Sequence, residues 1–117
     1  MVRSIGKRIE LLRIIAHPVR MRILYEFMRG PQCVTDLVRF LEINQSNVSQ
    51  HLALLRQCGA VDFRTDGRAK WYFIIDPLVP EIIDALKRDH SEDLPVPDLP
   101  PKKRIGFVDV PEKPREE

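Results

Sequence analysis

The chain has 117 residues, enough for one small domain and too few for a two-lobed enzyme with a cleft between lobes. Hydrophobic residues make up 44% and charged residues 31%, a globular composition, and no apolar run approaches the roughly 20 residues that span a bilayer. The formal net charge of +2 hides an uneven distribution: residues 1–90 hold 14 Lys and Arg against 10 Asp and Glu, while residues 91–117 hold 5 against 7 together with six of the ten prolines.

A basic body is permissive for nucleic acid without proving it. The proline density of the tail forbids helix and favours extended chain. The division therefore falls near His90–Leu94, into a folded body (1–90) and a Pro-rich acidic tail or extended arm (91–117). The opening Met1-Val2-Arg3-Ser4 lacks the apolar stretch of a secretory signal, so a cytoplasmic protein is expected. There the two cysteines are expected as thiols, not a disulfide. A core this small benefits from dimerisation, and no internal repeat is visible.

Ser4 is placed to cap a first helix reaching about Ile15. Ile5, Ile9, Leu12 and Ala16 share one face, widened by Leu11 and Ile15. His17-Pro18 ends it, because the residue before proline avoids the α region, and Pro18 suits the first turn of a second helix to about Met28. The apolar face of that helix reads Met21, Leu24, Tyr25 and Met28, with Val19, Ile23 and Phe27 alongside. Gly30-Pro31 stops it. A short third helix runs from Val34 or Thr35 to Leu41, with Leu37, Val38 and Leu41 inward.

Asn44 is the N-cap candidate of a fourth helix, whose buried stripe is Val48, Leu52 and Leu55 and whose stop is Gly59. Its opposite face reads Gln45, Ser46, Ser49, Gln50 and Ala53, small or amide-bearing and nearly uncharged. An ordinary solvated face would carry Lys and Glu. Short donors and acceptors suit a helix that lies against base edges in a major groove. Gln45, Ser46, Ser49 and Gln50 are the expected base readers, with Asn47 and Arg56 on the DNA backbone.

After Gly59 the apolar period changes from 3.6 to 2. Val61–Thr65 and Trp71–Ile75 read as strands, with Asp66-Gly67 as the hairpin turn between them. Arg64, Arg68 and Lys70 lie on or beside that turn, where they can meet phosphate or the minor groove. The aromatic run Trp71-Tyr72-Phe73 reads as core. Asp76-Pro77 starts a last helix to about Arg88, with Leu78, Ile82, Ala85 and Leu86 as its apolar face. The predicted fold is mainly α with a small β-hairpin, in the order α-α-α-α-β-β-α: a winged helix-turn-helix.

Three ordered segments resemble the ArsR/SmtB family of winged-helix repressors. Ala16-His17-Pro18-Val19-Arg20-Met21-Arg22-Ile23-Leu24 is similar to the family's A-x-P-x-R-x-x-I-L opening. Gln45 to Arg56 is similar to its recognition-helix motif S-Q-S-x-V-S-x-H-L-x-x-L, with Asn44 where Ser is usual. Gly59-Ala60-Val61, Asp66-Gly67-Arg68 and Trp71-Tyr72 resemble its wing. The resemblance covers about residues 8–88. It implies a homodimeric repressor of an inverted-repeat operator in double-stranded DNA, joined through its first and last helices, and not an enzyme.

The family's metal boxes are incomplete here. Cys33-Val34-Thr35-Asp36-Leu37 has one of the two cysteines of C-V-C-D-L. Cys58 has Leu54 four residues before it, and Asp84 is followed by Leu86 instead of His, leaving Asp89, His90, Glu92 and Asp93 as loose candidates. A soft-metal site needs three or four converging ligands, so no metal and no cofactor is expected. Cys33 and Cys58 are ordinary small hydrophobes on one reading and a thiol sensor on the other, oxidation at Cys33 displacing the short third helix. The inducer is not specified by the sequence. His17 reads as a helix-boundary residue and His51 as a core-edge residue bonded at a helix junction. Two rival readings are a winged-helix module that docks protein instead of DNA and a small thiol enzyme pairing Cys33 with His51. In the tail, Arg104–Val110 alternates like an extended arm; the other reading of the tail is a disordered solubilising linker.

Overall fold

The computed structural model describes residues 4–98. Seven elements follow in chain order: α1 (Ile5–Ile15), α2 (Pro18–Phe27), α3 (Val34–Leu41), α4 (Gln45–Gln57), β1 (Val61–Asp66), β2 (Ala69–Ile74) and α5 (Leu78–Lys87). The predicted order is the observed one.

The helix boundaries follow from local chemistry. The Ser4 hydroxyl accepts from the Lys7 amide at 3.2 Å and starts α1. The His17 ring caps α2, its Nδ1 accepting from the Val19 and Arg20 amides. The Asn44 carboxamide oxygen accepts from the Asn47 amide at 2.8 Å and starts α4. At the other end of α4 the Gly59 amide donates to Arg56 and the Ala60 amide to Leu55, the paired bonds of a Schellman stop. Gly59 has φ +82, which a residue with a Cβ would hold at a cost of about 1–2 kcal/mol. Buried Asp76 starts α5 by accepting from the Leu78 amide.

One core joins all the elements. It comprises Leu11 and Ile15 of α1, Ile23, Leu24 and Phe27 of α2, Leu37 and Leu41 of α3, Val48, Leu52 and Leu55 of α4, Val61, Tyr72, and Val79 and Ile83 of α5, with Ala60 at the α4–β1 joint. Three helices bury a different arc from the one their apolar spacing suggests. On α1 the core takes Leu11 and Ile15, and Ile5, Ile9 and Leu12 stay exposed. On α5 it takes Val79 and Ile83; Leu78 and Ile82 pack at its margin and Leu86 is 64% exposed. Each helix has an apolar arc wider than one neighbour can cover. On α2 the buried face centres on Ile23, Leu24 and Phe27, leaving Tyr25 outside beneath the Lys87 ammonium at 5.5 Å.

The two strands pair antiparallel, Val61 opposite Ile74 through Asp66 opposite Ala69. The turn residues are therefore Gly67 and Arg68, one position later than the Asp66-Gly67 reading. Gly67 alone of the two has positive φ, the pattern of a II′ turn. Gln32 exchanges both backbone hydrogen bonds with Tyr72, so the α2–α3 connection lies along β2 as a third short edge. Alternation divides the aromatic run: Tyr72 enters the core, whereas Trp71 and Phe73 lie half-buried on the other face. Residues 91–98 are exposed and carry neither helix nor strand. The predicted arm Arg104–Val110 lies outside the described residues.

Candidate nucleic-acid interface

Helix α4 turns its stripe of Val48, Leu52 and Leu55 inward, and this fixes which side chains face away from the protein. Gln45, Ser46, Asn47, Ser49, Gln50 and Ala53 are all exposed. Asn47 lends its backbone amide to the Asn44 cap and keeps its side chain outside. The result is a continuous face without a charge from Gln45 to Ala53, in which the Gln, Ser and Asn side chains both donate and accept.

The hairpin does not bring its three cations into one patch. Thr65 stands opposite Lys70 and Arg64 opposite Trp71, so Lys70 and Arg64 project to opposite faces. Lys70 turns toward α4: its ammonium stands 4.6 Å from the Phe63 ring centre, and so does the Arg56 guanidinium from the end of α4. Arg56 also donates through Nε to Asp62 at 3.3 Å. Arg64 lies instead 6.0 Å from Phe73 on the outer face. Arg68 occupies the tip, where with Lys70 it lines a cleft of about 420 Å³ against Cys33, Val34 and Thr35 at the start of α3. Phe63 is thus the residue that sequence reasoning missed. It seats two cations between the recognition-type helix and the wing, and its only sequence signal is its place in the β1 alternation.

The two thiols sit at different helix ends. Cys33 caps α3, and its Sγ lies 3.2 Å from an Asp36 carboxylate oxygen, to which it donates, and 3.4 Å from the Thr35 hydroxyl. Cys58 ends α4 and donates to the Leu55 carbonyl at 3.4 Å. Among the described residues no three His, Cys, Asp or Glu side chains converge. The Cys33 thiol is engaged with Asp36 and Thr35, and His51 accepts through Nδ1 from Arg20, so neither bond joins the Cys33–His51 pair of the thiol-enzyme reading. Arg20 Nε donates to His51 Nδ1 at 3.3 Å, Arg20 NH1 donates to the Ile14 carbonyl at 3.1 Å, and the His17 and His51 rings lie 5.1 Å apart, tilted by 50°. His17 and His51 occupy the boundary and junction positions expected of them. Arg20 was visible in the sequence only as a motif position, because its partner lies 31 residues away.

Among the described residues no helix is long and apolar enough to cross a membrane. Residues 17–62 match the family described as bacterial regulatory protein, arsR family. The HTH-type transcriptional repressor SmtB of Mycobacterium tuberculosis is 38% identical over 74 residues, which are 63% of this chain but 55% of that protein. The chain thus spans little more than half the length of that curated relative. The transcriptional activator HlyU of Vibrio cholerae is 33% identical over 88 residues, 75% of this chain and 82% of that protein. Its solved structure superposes with a TM-score of 0.67 at 32% identity, covering 74% of this chain and 94% of HlyU. The transcriptional repressor PagR of Bacillus anthracis gives 0.67 at 34% identity, covering 72% and 97%.

Proposed function

Because the chain belongs to the arsR family of bacterial regulatory proteins, we propose that it is a cytoplasmic, sequence-specific DNA-binding transcriptional regulator that acts as a repressor. The observation that carries this reading is the uncharged, exposed face of α4 beside a cationic hairpin. Gln45, Ser46, Ser49 and Gln50 read base edges in the major groove, Gln by paired bonds to adenine. Asn47 contacts the DNA backbone. Arg68 and Lys70 engage phosphate beside α4, and Arg64 reaches the flanking duplex from the outer face of the wing. Arg56, held by Asp62 and Phe63, supplies charge near the backbone more than a direct bond.

The functional unit is a homodimer. Ile5, Ile9 and Leu12 on α1 and Leu86 on α5 leave apolar surface that a second copy would cover. Two-fold symmetry then sets two α4 helices about one DNA turn apart, roughly 34–36 Å, on an inverted repeat. An inducer releases the operator by favouring a dimer whose helix spacing misfits it, for which a coupling of about 1–3 kcal/mol suffices. Of the two thiols, Cys33 is the one we assign to receive such a signal; its support is that it begins α3 and lines the cleft beside the wing tip, whereas Cys58 lies at the far end of α4.

The test is selection of bound duplexes from a random pool by the full chain. The expected product is an inverted repeat with half-sites one helical turn apart. Recovery of unrelated sequences would reduce the function to non-specific binding.

A further inference from the structure

Arg20 stands at a joint of three helices. It belongs to α2, takes a carbonyl near the end of α1, and reaches across to His51 in the middle of α4. An arginine Nε–H only donates, so His51 Nδ1 must present its lone pair, and the ring is neutral with its proton on Nε2. Adding a proton to Nδ1 removes the acceptor and sets two cations against each other. His17 closes the third side: its Nδ1 is occupied by the amides that begin α2, and its ring lies against that of His51. On α4 itself the residues one turn away, Asn47, Val48, Leu54 and Leu55, are not ionisable. Arg20 and His17 are thus the charged and titratable groups facing His51.

We propose that Arg20, His17 and His51 form an acid-sensitive latch that holds α4 in register with α1 and lets go when His51 takes a proton. Burial, then the Arg20 charge, then His17 push the His51 imidazole below its ordinary value of 6.5. The latch is therefore closed at neutral pH. Since α1 carries exposed apolar surface for a second copy and α4 carries the polar face, opening frees each recognition helix from the frame that sets its distance to the other. The inference rests on the DNA-binding reading for its consequence, and on the joint alone for its chemistry.

The sign distinguishes this from general electrostatics. Protonated histidines add positive charge and would tighten binding to a polyanion as pH falls. An opening latch weakens it, by up to about tenfold per pH unit below the midpoint for each His51 in the bound unit. The stability effect has the same direction. As pH falls through 6.5 the unfolded chain protonates His51 before the folded chain does, so this group's contribution is complete above 6.5 and declines as pH drops toward the folded midpoint.

The experiment has two arms. In the DNA-free full chain, NMR follows the three histidine rings from pH 8 to pH 5. His51 should titrate below 6.5, and Arg20→Gln should raise its midpoint. A midpoint at or above 6.5 in the wild type, or one unmoved by Arg20→Gln, overturns the latch. In the second arm, affinity for a duplex selected from the random pool is measured over the same range. The wild type should weaken toward acid, while His51→Gln, whose amide oxygen accepts from Arg20 at every pH, should lose that fall. Unchanged or tighter wild-type binding in acid overturns the proposal. Should no duplex bind at any pH, the DNA-binding reading fails, and the NMR arm alone decides the latch.

Discussion

Gln50 and Ser49 show what a single side chain contributes to this surface. Both are exposed on α4 and neither carries a charge, so replacing either with alanine removes a donor and acceptor without disturbing the core. In gel shifts Gln50→Ala should weaken binding to the selected duplex by about 1–3 kcal/mol and relax discrimination at one base pair, with Ser49→Ala milder. Retention of wild-type discrimination by both variants would place base reading elsewhere. The exposed, uncharged face that carries both was legible in the sequence, because a helix face lacking Lys and Glu is an anomaly. So was Gly59, a glycine just past a periodic stripe. The Arg20–His51 bond was not, since neither spacing nor periodicity reports a side-chain bond between residues 31 apart.

At the scale of elements, the hairpin and α4 are joined by an aromatic ring. Phe63 carries Arg56 from the helix and Lys70 from the wing at the same 4.6 Å, and its other neighbour is the Tyr72 ring at 5.3 Å. The Arg56–Asp62 pair, about half exposed at both ends, adds little by itself. Phe63→Leu keeps an apolar side chain but removes both cation–π contacts. It should cost about 1–2 kcal/mol in urea unfolding and loosen DNA binding without altering sequence preference. A variant as stable as the wild type would mean the ring only fills space. Alternation correctly announced two strands but not their bounds: the Asp66-Gly67 signal placed the turn one residue early, since Asp66 still pairs with Ala69. It also read Trp71 and Phe73 as core, whereas the pleat sends only Tyr72 inward.

On the scale of the whole molecule, the wide apolar arc of α1 explains both a success and an error of sequence reasoning. The helix was legible, but its period could not say which part of a broad face serves its own core and which part remains outside. Leu11 and Ile15 serve the core, while Ile5 and Ile9 are 72% and 53% exposed. If that surface joins two copies, Ile9→Asp should leave each subunit folded and halve the mass seen by light scattering. Affinity for the full inverted repeat should then drop toward that for a single half-site. An unchanged mass would move the interface away from α1. The order of elements and the family were legible because they are written in local signals, namely caps, stops and three ordered motifs; the packing between elements was not. The most direct measurement is the affinity of the full chain for its selected duplex as salt is raised. Two wings, each placing Arg68 and Lys70 on phosphates, predict a log–log slope of about −3.6 or steeper. A flat response, or no binding to any duplex at low ionic strength, would contradict the account.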